Sequence, residues 1–168
     1  MTDEALTEAD RETVAAQLGR PPRGARAVAH RCPCGLPDVV QTSPRLADGT
    51  PFPTLYYLTC PRAAAAVSAL ESAGLMKQMS ARLATDPSLA ESYREAHERY
   101  LARRAAIAEV AEIAGVSAGG MPTRVKCLHV ALAQSLAEGP HGNPFGDETR
   151  ALVGPWWTAG PCVGTGED

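Results

Sequence analysis

Residues 25–60 read ARAVAHRCPCGLPDVVQTSPRLADGTPFPTLYYLTC, and the fold turns on them. Three short extended pieces, Arg26 to Cys32, Val39 to Thr42 and Leu55 to Thr59, alternate with glycine and proline breaks, the pattern of strands joined by turns. They predict a small antiparallel sheet. Between the last two pieces, Ser43 to Pro53 combines an Asp48-Gly49 turn signal with Pro44, Pro51 and Pro53, which makes a stiff loop of the kind that positions side chains.

On the N-terminal side, Leu6, Ala9, Val14 and Leu18 recur among acids and predict an amphipathic helix over Thr7 to Leu18, stopped by Gly19 and the prolines 21 and 22. After Cys60 the pattern becomes helical. Thr59 is a cap candidate, Pro61 suits a first turn, and an alanine-rich run through Val67 and Leu70 ends at Gly74. A second helix follows from Leu75 to Ala84. Asp86-Pro87 then starts a long one, in which Leu89, Tyr93, Ala96, Tyr100, Ile107, Val110 and Ile113 keep a three- and four-residue spacing up to Gly115. A last buried helix is predicted from a Thr123 cap to Glu138, with Asp147 capping a short C-terminal one. The fold class is therefore α+β: a small antiparallel sheet in the N-terminal third, covered by a C-terminal group of helices. Residues 1–24 read as an N-terminal helix and linker, 25–153 as one globular domain, and 154–168 as a disordered tail in which Trp156 and Trp157 could pack.

At 168 residues the chain can bury a core of its own, so metal or disulfide staples are not required for folding. Five cysteines, an odd number, do not suggest a disulfide framework, and no signal segment or membrane span is visible. A cytoplasmic protein is expected, where close thiols serve as metal ligands or reactive groups. The net charge of −3 offers no general attraction to nucleic acid or to an acidic membrane, so any anion site must be local.

The chemistry is concentrated in four cysteines and a few histidines. In a strand, His30, Cys32 and Cys34 project to one side, and Tyr56, Leu58 and Cys60 share a face of the later strand, so pairing can gather three sulfurs. Cys127 and His129 lie about 200° apart on a regular helix and reach one ion only if that helix begins late, with Lys126 and Cys127 still in its irregular entry. Under that condition Cys32, Cys60, Cys127 and His129 form a zinc-type set, with Cys34 and His97 as further ligand candidates. Each also has a plain structural reading, the thiols as small core fillers and the histidines as hydrogen-bonded core residues. Arg124 and Lys126 sit where positive charge opposes the helix dipole, which marks an anion pocket completed by Arg45, or two side chains reaching for water.

The segments Arg31-Cys32-Pro33, Asp48 to Thr59, Ala96-His97 and Arg124 to His129 together resemble the bacterial family known as domain of unknown function 501, over most of Ala27 to Asp147. The resemblance implies a single cytoplasmic domain and carries no reaction, substrate or cofactor. It leaves Cys34 outside the family pattern and shifts weight to Cys32, Cys60, Cys127 and His129.

Three functions compete at this point. One is a zinc-type Cys/His domain with a regulatory or scaffolding role and a protein partner. Another is a thiol-dependent enzyme acting on a small anionic or phosphorylated substrate, with Cys127 or Cys32 as nucleophile beside His97 or His129. The third is a metal-free interaction module that docks through the long helix Pro87 to Ala114, which would then expose an apolar stripe.

Overall fold

The computed structural model describes residues 3–163. Four antiparallel strands, β1 (Glu4–Ala5), β2 (Ala25–Arg31), β3 (Pro37–Thr42) and β4 (Tyr56–Leu58), form a meander in that spatial order. Their register places Val28 opposite Val40 and Val39 opposite Leu58. Every residue of β3 is buried. Because successive side chains alternate faces, Val39 enters the main core, whereas Val40 joins Val14 and Ala25 in a smaller cluster on the opposite face.

That smaller face is covered by α1 (Glu8–Leu18), whose Thr7 and Asp10 form a reciprocal capping box and whose Gly19 closes the helix in the left-handed conformation. Arg31 of β2 donates to both oxygens of Asp10, at 3.0 and 3.1 Å, and pins the helix to the sheet edge.

The main face carries α2 (Pro61–Ser72), α3 (Leu75–Leu83), α4 (Pro87–Ile107), α5 (Leu128–Glu138) and α6 (Pro144–Val153). Helix α5 is the hub, with Leu128 and Leu132 fully buried against β4, α2 and α6. Helix α6 lies so close that a Cβ on Gly146 would fall 2.0 Å from the Ala131 carbonyl oxygen. No helix among the described residues is long and apolar enough to cross a membrane.

Several boundaries differ from the sequence expectation, each for a visible reason. Helix α4 stops at Ile107 and not near Gly115, because Ala108 turns extended while the buried Arg104 donates to Pro53 O (2.7 Å) and Ile113 O (2.8 Å). Val110 and Ile113 are then buried by a turn of 3-10 helix at Ala111–Ile113. Helix α5 starts at Leu128, five residues after Thr123, because the preceding amides are already engaged: Arg124 N–H with Gly120 O, Val125 N–H with Ser80 Oγ and Lys126 N–H with Gly119 O. Arg124 and Lys126 thus stand outside the helix they were expected to open. Helix α6 is capped by Asn143, and Asp147 instead accepts the His141 N–H at 3.0 Å. Helix α2 has Cys60 at its N-cap without a side-chain cap bond, so Thr59 does not cap it, although Pro61 does open the first turn.

Of the 154–168 tail, expected to be disordered apart from packing of Trp156 and Trp157, residues 154–163 run back along the domain and 164–168 lie outside the described residues. Trp156–Ala159 forms a 3-10 turn against α2, Trp156 is buried, and Arg62 of α2 donates to Pro161 O at 2.9 Å.

Candidate functional site

The turn after β2 is the first piece of the site. Cys32 N–H donates to Leu36 O at 2.9 Å and Gly35 N–H to Cys32 O at 2.8 Å, a tight closure that requires Gly35 at φ +93°. Within it the Cys32 sulfur accepts the Cys34 N–H and the Cys34 sulfur accepts the Leu36 N–H. The second piece is Cys60, fully buried at the mouth of α2. The third is Cys162, which the Arg62–Pro161 bond carries down onto the other two; it is 2% exposed and its sulfur lies 3.4 Å from that of Cys34.

The sulfurs of Cys32, Cys34 and Cys162 all lie within 4.8 Å of one another, and Cys60 is in hydrogen-bonding contact with Cys162. Burial pushes the Cys32 thiol up despite its N–H donor. Burial and three neighbouring thiols push Cys162 up much further. Burial also acts upward on Cys34, but the N–H groups of Leu36 and Cys162 and the adjacent thiols outweigh it, so its net shift is downward. Four crowded sulfurs cannot all ionise in a low-dielectric pocket without a cation to share. All five cysteines of the chain are free thiols.

A second cluster forms about α5. With the helix starting at Leu128, Cys127 is extended and its sulfur comes within 3.9 Å of His129 Nδ1. The late helix start that a shared Cys127–His129 site demands is therefore met. The pair converges with Glu71 of α2, whose Oε1 lies 3.2 Å from His129 Nδ1 while Oε2 accepts the Leu128 N–H at 2.8 Å. His129 Nε2 faces Ala64 O at 3.2 Å. The hydrogen bond with Cys127, then the Glu71 charge and the Ala64 carbonyl, outweigh burial and push the imidazole up to about 9. The three donor atoms lie within 4.8 Å of one another, all in half-buried residues, and Cys127 and His129 line a cleft of about 540 Å³ together with Gln17, Tyr57 and Thr59.

The structure thus divides the sequence-derived ligand set in two: Cys32 and Cys34 belong to one cluster, which Cys60 touches through Cys162, and Cys127 and His129 belong to the other. His97 stands with neither; its Nδ1 is 2.7 Å from Ser117 Oγ, and burial lowers its pKa. His30 pairs with the buried Asp38 at 2.8 Å. Of the three anion-site candidates, Arg45 is paired with Glu112 at 2.8 Å, and Arg124 and Lys126 are exposed with their stems over Gly120. The exposed face of α4 presents Glu91, Glu95, Glu98 and Ala102, and among the described residues only Val116 and Leu152 are large hydrophobics left exposed. No apolar docking stripe runs along α4.

Two participants escaped sequence reasoning. Cys162 carried a signal, since a Pro-Cys pair shortly after Trp156-Trp157 has something to pack on. Glu71 carried none, being one acid among nineteen.

A family described as protein of unknown function (DUF501) matches residues 28–151, and the chain belongs to it. The matched span contains Cys32, Cys34, Cys60, Glu71, Cys127 and His129 and ends before Cys162. No curated protein and no solved structure matches the chain.

Proposed function

We propose that this family member is a small cytoplasmic domain with a zinc-type centre at Cys32, Cys34, Cys60 and Cys162, in a regulatory or scaffolding role. The observation that carries the reading is the convergence of sulfurs from three distant parts of the chain, Cys34 and Cys162 being 128 positions apart yet 3.4 Å from each other. Tetrahedral zinc with Zn–S bonds of about 2.3 Å holds its sulfurs about 3.8 Å apart, close to that separation, whereas a disulfide would need about 2.0 Å. Backbone N–H groups directed at Cys32 and Cys34 support thiolates in the way ligand-orienting hydrogen bonds do.

A four-sulfur shell is closed, so its work is structural. It ties the β2–β3 turn, the start of α2 and the C-terminal segment to one point. Three free thiols within 4.8 Å of one another favour a reducing compartment.

The test is elemental analysis of the purified full-length chain, paired with thermal melting before and after chelation. A tightly held ion, with a melting point that falls on its removal and a loss of that ion in Cys162→Ser, is the expected result. A metal-free preparation whose melting point ignores both zinc and chelator would refute the reading.

A further inference from the structure

The cluster on α5 shares no ligand with the thiol centre and has a different character. Three donors, Cys127 Sγ, His129 Nδ1 and Glu71 Oε1, meet within 4.8 Å of one another, and two of them, Cys127 and His129, belong to residues that line the cleft. With Zn–S near 2.3 Å, Zn–N near 2.05 Å and Zn–O near 2.0 Å, a tetrahedral ion would hold N and O about 3.3 Å apart and S and N about 3.6 Å apart. The structure has 3.2 Å and 3.9 Å. Those two pairs need a few tenths of an ångström to close on an ion, and the third, Cys127 Sγ with Glu71 Oε1, lies within 4.8 Å.

The outer contacts point the same way. His129 Nε2 lies 3.2 Å from the Ala64 carbonyl, a partner that takes its N–H and leaves the Nδ1 lone pair toward the cluster. Glu71 has one oxygen committed to the Leu128 N–H at 2.8 Å and presents the other to the same point. Two of the three ligands, His129 and Glu71, are thus oriented by groups that are not ligands.

An independent feature of the cleft concerns its occupant. Gln17 is about nine-tenths buried and lines the cleft; its amide nitrogen donates to Pro37 O at 2.7 Å, and its carbonyl oxygen is buried without a partner. A buried acceptor without a partner, in a residue that lines the cleft, suits a ligand that brings an N–H or O–H. The remaining lining, Leu18, Tyr57, Leu58, Ala64 and Val130 among it, is apolar and aromatic and includes no lysine or arginine.

We propose that Cys127, His129 and Glu71 form a second, open metal centre for a zinc-type dication, whose fourth position faces the cleft and takes a metal-seeking head group on an apolar, hydrogen-bond-donating body. Three protein ligands plus an exchangeable position is the arrangement in which zinc acts on a ligand, in contrast to the closed sulfur shell.

Cobalt(II) titrated into metal-free full-length protein, followed by its visible absorption, tests this. Two equivalents bind, and the second shows sulfur-to-cobalt charge transfer from a single thiolate. Cys127→Ser and Glu71→Gln each weaken the second equivalent at least tenfold and leave the first in place, with circular dichroism confirming the fold. Cys127→Ser keeps the Glu71–Leu128 bond, so it carries the test should Glu71→Gln loosen α5. Benzohydroxamate, a chelating head on an aromatic ring, shifts the bands of the second ion only. A wild-type chain without a Cys127-dependent equivalent overturns the centre, and a second ion indifferent to benzohydroxamate overturns its open position. Cys162→Ser removes the first equivalent and spares the second, so failure of the thiol centre and failure of this one are read separately.

Discussion

Gly146 shows how much one hydrogen atom in place of a methyl can decide. A Cβ there would lie 2.0 Å from Ala131 O and 2.3 Å from Ser135 Oγ, and the nearer obstacle is backbone of the hub helix, which cannot swing aside. Gly146→Ala should lift α6 from α5 and cost about 3 kcal/mol or more, at the upper end for overpacking, read as a lowered urea midpoint with an unchanged denaturant slope. Arg104 poses the opposite problem, a nearly buried cation that satisfies two carbonyls. Arg104→Met fills similar space but leaves Pro53 O and Ile113 O without a donor, an expected loss of about 2–4 kcal/mol in the same assay. At this scale little was legible beforehand. Tyr93 and Tyr100 were readable as core from their spacing, but Gly146 was passed over beside Asp147, the expected cap, and Glu71 looks like any solvated acid. Which surface acid is drawn inward depends on which amide is left unpaired nearby, here that of Leu128, and no local pattern encodes that.

Elements were legible where periodicity governs and illegible where an unseen partner consumes backbone groups. Strands β2, β3 and β4 and helices α1, α2 and α3 fall within a few residues of their expected bounds, because glycine and proline punctuate them, whereas the two-residue β1 was not expected. Helix α4 ran on too far in the reading because Val110 and Ile113 keep its spacing, yet Arg104 captures the Ile113 carbonyl and folds the chain back. Helix α5 began too early in the reading because Thr123 resembles a cap, while the Gly119-Gly120 turn and Ser80 take the amides of residues 124–126. That delay is also what brings Cys127 and His129 together. The attachment of α1 to the sheet has a pH signature. Chiefly through its bond to Arg31, and against burial, Asp10 is held below its ordinary 3.8. A depressed carboxylate contributes stability that is present above the unfolded value and lost as pH falls through the folded one. Asp10→Asn should therefore cost about 1 kcal/mol at pH 7, and the difference from wild type should vanish as urea titrations are taken down through pH 3.8 and below. A constant difference at every pH would mean that packing and not charge holds the helix.

For the whole molecule, the fold class was readable from the sequence as an α+β domain with a small N-terminal sheet, and the structure has that sheet under a group of helices. The joining of distant segments was not. Thiols in residues 32–60 could be paired on paper by strand register, but the partner that completes them sits in a glycine- and proline-rich segment without periodicity. It is placed by Arg62 donating to Pro161 O and by the buried Trp156 packed against α2. Arg62→Ala should release that segment and speed alkylation of Cys162 by about tenfold or more in metal-free protein, the factor corresponding to roughly 1.4 kcal/mol of lost local protection. An unchanged alkylation rate would show that the Trp156 contacts suffice.

The most direct test of the thiol centre is X-ray absorption at the zinc edge of the purified Cys127→Ser chain, in which the open centre is disabled. Four sulfur scatterers at about 2.3 Å are predicted. A shell made of nitrogen and oxygen alone, or a chain that carries no zinc when supplied with it, would contradict the account.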